Sequence, residues 1–203
     1  MKATLRAEFV NLPNILTYIR VAAIPLVMLL IWRGAPRDCV VAAWVYSFAT
    51  ITDFFDGWLA RRMGLVTVIG KFLDPLADKL MVMGMLVMLV ALNRVPGWLV
   101  VLILAREMTI NGLRAIASSE GLVIPAGQAG KYKTALQMIA VMFLVVHFPY
   151  TVWFFGLYPL TVDFHVVGMW VLGGSVWFSM VSAVVYFRDF FRALDDRRGS
   201  EAR

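Results

Sequence analysis

The stretch Asp53-Phe54-Phe55-Asp56-Gly57-Trp58-Leu59-Ala60-Arg61-Arg62 follows an uncharged and mostly apolar run, Cys39–Thr52. Shortly afterwards Gly70-Lys71-Phe72-Leu73-Asp74-Pro75-Leu76-Ala77-Asp78-Lys79 leads into thirteen apolar or small residues, Leu80–Leu92. One segment is apolar and then acidic, the next acidic and then apolar. Each has roughly the 20 residues needed for a helix to cross a bilayer. If successive helices run in opposite directions, both acidic halves fall at the same end.

The surrounding composition agrees with this. Of the 203 residues, 61% are hydrophobic and 16% charged, against about 25% charged in ordinary soluble domains. Mean hydropathy is +0.79. A soluble domain with this content would have a largely apolar surface, and neither a disordered chain nor a nucleic-acid-binding module has this balance. We therefore expect an all-α integral membrane protein in one domain, residues 1–203. Six spans can be drawn, at about 14–32, 39–61, 70–92, 97–118, 131–148 and 164–187. A short interfacial helix over 3–10 would precede them, where Leu5 and Phe9 share a face. A polar tail, 188–203, would follow as a fraying helix end. Pro25 is expected to kink the first span. No compact apolar core with a small-residue cleavage site follows Lys2 and Arg6, so the first span is expected to remain as an anchor.

Charge sets the expected orientation. With six spans both termini share a side, and every Lys and Arg except Arg33, Arg37 and Arg94 falls there. The positive-inside rule places that side in the cytoplasm. The net charge of +6 then marks topology more than a polyanionic partner, and no nucleic acid is expected. The single cysteine, Cys39, cannot form an intramolecular disulfide.

The polar halves repeat beyond the first pair. The fourth segment is apolar through Ala105 and continues Arg106-Glu107-Met108-Thr109-Ile110-Asn111-Gly112-Leu113-Arg114. The fifth opens Lys131-Tyr132-Lys133-Thr134 and then turns apolar. These arrangements predict a polar cavity in the cytoplasmic half of the bundle.

Ionisable groups within spans cost about 2.5–3.5 kcal/mol each on insertion scales and are functional unless paired. Asp53 and Asp56 lie three apart, and Asp74 and Asp78 four apart, so each pair shares a helical face. The connection, roughly 62–69, is short enough to make the two helices antiparallel neighbours. Four carboxylates at one depth repel unless protonated or neutralised. Oxygen ligands of this kind suit Mg²⁺ or Mn²⁺, and two-metal carboxylate sites handle phosphates. The competing reading is local pairing with Arg61, Lys71 and Lys79, which uses fewer acids than are present. Gly57 and Gly70 serve equally as helix-packing positions or as places where a phosphate approaches the backbone.

The spacing from Asp53 to Asp78 has the form DxxDGxxARx8GxxxDxxxD, matched at every defined position over 26 residues. It resembles the signature of the CDP-alcohol phosphotransferases. The resemblance implies a six-helix membrane fold and a homodimer. It implies that Asp53, Asp56 and Asp74 ligate one divalent metal, and that Asp78 joins Asp53 and Asp74 at a second. Asp78 would also be the general base. Gly57, Arg61, Thr67 and Gly70 would meet the CDP moiety of CDP-diacylglycerol. Asn14 and Thr17 would line the nucleotide end, or equally cap a helix start.

Arg106, Arg114, Lys131 and Lys133 have only Glu107 as a local acid. Surplus cations in a membrane cavity suggest an acceptor carrying a phosphate. The alternatives are a pair with Glu107 or a motif aspartate for Arg106 and snorkelling to the interface for Lys133. The segments 11–25, 104–118 and 130–138 resemble the branch of that family whose acceptor is sn-glycerol 3-phosphate. The nearest rival acceptor is phosphatidylglycerol, followed by inositol phosphate and by serine, which the basic cluster disfavours. A divalent-cation transporter could also hold intramembrane carboxylates, but the apolar Leu80–Leu92 closes the route through. His147 and His165 fall at the outer side and are expected not to bind metal. Trp32, Trp98, Trp153 and Tyr158 read as an aromatic belt, and Gly173-Gly174 as a site of helix packing or of a subunit contact.

Overall fold

The computed structural model describes the backbone of residues 12–63, 68–122, 128–154 and 158–201, and side chains over 15–52, 77, 79–122, 130–153 and 159–197. Among these residues the chain forms six helices and one hairpin: α1 (Leu12–Arg33), α2 (Pro36–Met63), α3 (Val68–Ala91), α4 (Gly97–Ser119), α5 (Gln128–Val146), β1 (Pro149–Phe154), β2 (Tyr158–Asp163) and α6 (Phe164–Glu201). The interfacial helix expected over 3–10 lies outside the described residues. The helices occupy the six apolar stretches, and two, Ile15–Arg33 and Phe164–Arg197, are long and apolar enough by themselves to cross a membrane.

Each helix buries one stripe. On α6 it is Leu172, Ser175, Ser179, Ala183, Tyr186 and Phe190, spaced three or four apart. The opposite faces remain apolar: Trp44 is 74% exposed, Phe48 71% and Trp170 80%. Large exposed apolar faces mark interaction surfaces, and on helices in every part of the bundle they are the surface of a protein that sits in lipid. Trp32, Trp98 and Trp153 are among these exposed aromatics. Tyr158 has no described side chain.

α1 packs against α2 and α3, and α5 packs against the same two. α4 packs against α3 and α6, and α6 against α5. Two four-helix groups thus share α3 and α5. The short connection suggested α2 and α3 as direct neighbours. Among the described residues α1 and α5 each pack against both, and the acidic halves of α2 and α3 lie outside the described side chains. The main core lies among these helices, around Ile31, Tyr46, Met85, Leu89, Val141 and Leu144.

Helix ends follow local rules. Gly34 takes φ +71° after α1, donating its N–H to the Ile31 carbonyl, and Pro36 opens α2 two residues later. Asp163 caps α6, its Oδ1 accepting from the His165 and Val166 amides at 2.9 and 3.1 Å. At the bundle end where α2 begins, Arg94 is buried and closes α5: Nη1 donates to the Leu144 and Val145 carbonyls at 3.3 and 2.9 Å, and Nη2 to Cys39 Sγ at 3.3 Å.

Three features depart from the sequence reading. Residues 149–163, expected as a loop, form an antiparallel hairpin with Pro149 opposite Asp163 and Thr151 opposite Thr161. Its β-branched and aromatic content suits strands, and the Tyr150 hydroxyl ties it to the Pro36 carbonyl at 3.1 Å. α6 does not fray at 188 but runs to Glu201, with Arg197 paired to Glu120 Oε2 at 3.1 Å beyond the end of α4. The packing glycine of α6 is Gly168, whose added Cβ would lie 2.8 Å from Leu144 Cγ, while Gly173 and Gly174 meet nothing within 4 Å.

Candidate active site

Asp53, Asp56, Gly57 and Arg61 fall in the last three turns of α2, and Gly70, Asp74 and Asp78 in the first three of α3. Asp53 stands ten residues before the end of its helix and Asp78 ten after the start of its own. At 1.5 Å per residue both are about 15 Å in. Met63 and Val68 can be at most about 19 Å apart along an extended chain, so the two acidic segments share one end of the bundle. The side chains of Asn14, Asp53, Asp56, Arg61, Asp74 and Asp78 lie outside the described residues, as does Thr67 altogether.

Described residues frame this end. Thr17 and Arg20 are buried on α1, the helix that touches both α2 and α3. Ala77, between the two motif aspartates of α3, is 1% exposed. The Thr52 hydroxyl donates to the Phe48 and Ala49 carbonyls at 2.9 Å each, one residue before Asp53. Between α1 and α2 runs an apolar cavity of about 520 Å³, with Leu16, Trp44 and Phe48 among its walls and Arg20 as its charged group. Thr52, the residue before Asp53, also lines it.

Among the described side chains no cluster of three or more His, Cys, Asp or Glu could hold a metal. The motif aspartates are the chain's remaining concentrated donor set. An oxygen-only set fits a hard divalent cation better than zinc or a soft metal.

A second polar centre lies where α4, α5 and α6 meet. Arg106 Nη1 donates to Glu107 Oε1 at 2.8 Å, and Lys133 Nζ pairs with the same oxygen. Arg106 Nε donates to the Ser179 carbonyl and Nη2 to the Ser182 hydroxyl, each at 3.1 Å. The Arg106 and Lys133 side chains are 9% and 8% exposed. Lys133 therefore points inward and does not snorkel, and Arg106 does pair with Glu107.

The four basic residues named from sequence are not equivalent. Arg106 and Lys133 are brought together. Arg114, eight residues and about 12 Å further along α4, is exposed and sits over the Tyr186 ring at 5.9 Å. Lys131 is exposed. Sequence reasoning passed over the contribution of α6. The Ser179 and Tyr186 hydroxyl oxygens are buried, with no hydrogen-bond partner among the described residues. Ser175, Ser179, Ser182 and Tyr186 recur every three or four residues in an otherwise apolar helix, and that stripe was the available signal.

His147 and His165 meet each other at the far end, Nδ1 to Nδ1 3.3 Å, with His147 at φ +65° just past α5. Burial first, then Arg94 and His165, hold the His147 imidazole below its usual value, with Asp163 opposing.

Residues 10–181 match the family model described as CDP-alcohol phosphatidyltransferase. A Bacillus subtilis (strain 168) protein named CDP-diacylglycerol–glycerol-3-phosphate 3-phosphatidyltransferase is 37% identical over 197 residues, 91% of this chain and 97% of that protein. A Rickettsia bellii (strain RML369-C) protein of the same name is 43% identical over 136 residues, 67% of this chain and 75% of its own. A cardiolipin synthase (CMP-forming) from Oryza sativa subsp. japonica is 33% identical over 201 residues, covering 92% of this chain and 59% of that protein. With the aspartate spacing placed at one end of a six-helix bundle and the family model covering most of its length, the chain belongs to the CDP-alcohol phosphatidyltransferases.

Proposed function

We propose that the protein transfers the phosphatidyl group of CDP-diacylglycerol to sn-glycerol 3-phosphate, giving phosphatidylglycerophosphate and CMP. The observation that carries the choice of acceptor is the buried meeting of Arg106 and Lys133 on Glu107. Two enclosed cations beside unpartnered hydroxyls suit a small phosphate monoester. The names of the Bacillus and Rickettsia relatives point the same way.

In this reading Asp53, Asp56, Asp74 and Asp78 hold two divalent ions, Mg²⁺ or Mn²⁺. When bound, such ions neutralise pyrophosphate charge and ease departure of the nucleotide. Gly57 and Gly70 let the CDP moiety approach the backbone, and Arg61, Thr67, Asn14 and Thr17 line its pocket. The cavity between α1 and α2 offers the donor an apolar surface next to the motif. Arg106, Arg114, Lys131 and Lys133 draw in the acceptor phosphate, with Lys131 and Arg114 at the mouth. Asp78 takes the proton of the acceptor's C1 hydroxyl. That oxygen bonds to the phosphorus carrying diacylglycerol, and the bond from that phosphorus to CMP breaks.

All six helices would span the bilayer, with both termini and the active site in the cytoplasm, a short helix over 3–10 at the interface and a homodimeric assembly in the bacterial plasma membrane. The purified protein, given CDP-diacylglycerol and Mg²⁺, should release CMP with sn-glycerol 3-phosphate. Release with phosphatidylglycerol alone would install the cardiolipin-synthase reading that the Oryza relative supports, and release with inositol phosphate alone would install that branch. No release with any acceptor would refute the proposal.

A further inference from the structure

Glu107 stands between the two buried cations. Its Oε1 accepts from Arg106 on its own helix and from Lys133 on α5, and its side chain is 17% exposed. Arg106 is held on all three nitrogens: by Glu107, by the Ser179 carbonyl and by the Ser182 hydroxyl. One carboxylate and one guanidinium thus join α4, α5 and α6 at a single point.

The physical consequence concerns Lys133 first. It lies five residues from the start of α5, within reach of water for a four-carbon stem, and an unassisted lysine there extends outward. Two cations brought together in a low-dielectric interior also repel. A carboxylate between them removes the repulsion and draws the ammonium inward. The trio carries a net charge of +1, whereas the same two cations without Glu107 would carry +2.

We infer that Glu107 is a positioning residue for the phosphorylated acceptor: it presets Lys133 beside the independently held Arg106, as a pair facing the acceptor phosphate, and acts through Lys133. The inference rests on the proposed acceptor reading, in which these two cations hold that phosphate. It differs from a structural role because its effect is confined to one substrate and passes through Lys133.

Steady-state kinetics on the purified protein, varying each substrate in turn, test it. Glu107→Gln keeps the shape and an accepting oxygen but removes the charge. It should raise the KM for sn-glycerol 3-phosphate about tenfold while the KM for CDP-diacylglycerol and kcat stay within about twofold. In a Lys133→Met background the same substitution should change the acceptor KM by less than about threefold, because the partner through which it acts is gone. Glu107→Asp, which keeps the charge on a shorter arm, supplies a second variant should the first fail to fold, and should also raise the acceptor KM selectively. An unchanged or lowered acceptor KM, an equal rise in both KM values, or an undiminished effect in the Lys133→Met background overturns the inference. Wild-type protein that releases no CMP with sn-glycerol 3-phosphate refutes the acceptor reading and this inference with it. Wild-type turnover without the Glu107 effect refutes the inference alone.

Discussion

Replacing Gly168 with alanine adds a single methyl group at a close approach of α5 and α6. That Cβ would stand 2.8 Å from Leu144 Cγ and 3.1 Å from both Leu144 Cδ2 and the Leu144 backbone nitrogen. Ordinary carbon contacts sit near 3.5–4.0 Å, so the neighbour must retreat by several tenths of an ångström to about an ångström. The side chain of Leu144 is fully buried and its backbone nitrogen belongs to the helix, so neither can swing aside. The two helices must separate, and overpacking of this kind costs about 1–3 kcal/mol. For a chain of this size 1 kcal/mol shifts the melting temperature by about 2–4 °C, so a cost near 2 kcal/mol predicts a fall of about 4–8 °C.

Thermal unfolding in one detergent, followed by intrinsic tryptophan fluorescence, measures this. Gly173→Ala and Gly174→Ala on the same helix are the controls. Their new methyl groups meet nothing within 4 Å, and alanine is the better helix former by up to about 1 kcal/mol. Both should melt at or above the wild-type temperature. If all three variants melt together, or the controls fall and Gly168→Ala does not, the assigned α5–α6 contact is wrong.

Asp78→Asn should abolish CMP release while CDP-diacylglycerol still binds, as equilibrium binding of the nucleotide lipid would record; near-normal turnover would remove Asp78 as the base. Arg94→Met should destabilise the fold by about 2–4 kcal/mol, since the Leu144 and Val145 carbonyls lose a charged donor; a chemical denaturation midpoint equal to wild type would contradict this. His147 has its imidazole held below the usual value of 6.5 by burial, Arg94 and His165. The folded state therefore favours the neutral ring. The associated stability is present above about pH 6.5 and is lost as pH falls through the lower folded value. Melting temperatures from pH 8 to pH 5 should drop more for wild type than for His147→Gln, and parallel curves would refute the assignment.

The sequence alone determined the parts of this protein that depend on local chemistry. Runs of about 20 apolar residues allow little except helices in lipid, because a helix satisfies its own backbone groups. A carboxylate spacing of three and four residues sets each pair on one face whatever surrounds it. The ends at which Asp53 and Asp78 stand followed from chain connectivity, and the bundle keeps them there. The hairpin at 149–163 escaped notice because its six-residue strands lie between long apolar segments that dominate any hydropathy average.

Only the tertiary structure decided which helices meet. Nothing local to their sequences requires α1 and α5 each to pack against both α2 and α3, as they do. Four basic residues looked interchangeable along the chain, yet Arg106 and Lys133 share a buried carboxylate while Lys131 faces outward. Gly168 and Gly173 are both glycines in one apolar helix, and only the position of Leu144 on another helix leaves the first no room for a side chain. Burial, pairing and close approach are properties of residues far apart in sequence. Ser179 and Ser182 lie more than seventy positions from the Arg106 they hold, and no local pattern around Arg106 names them.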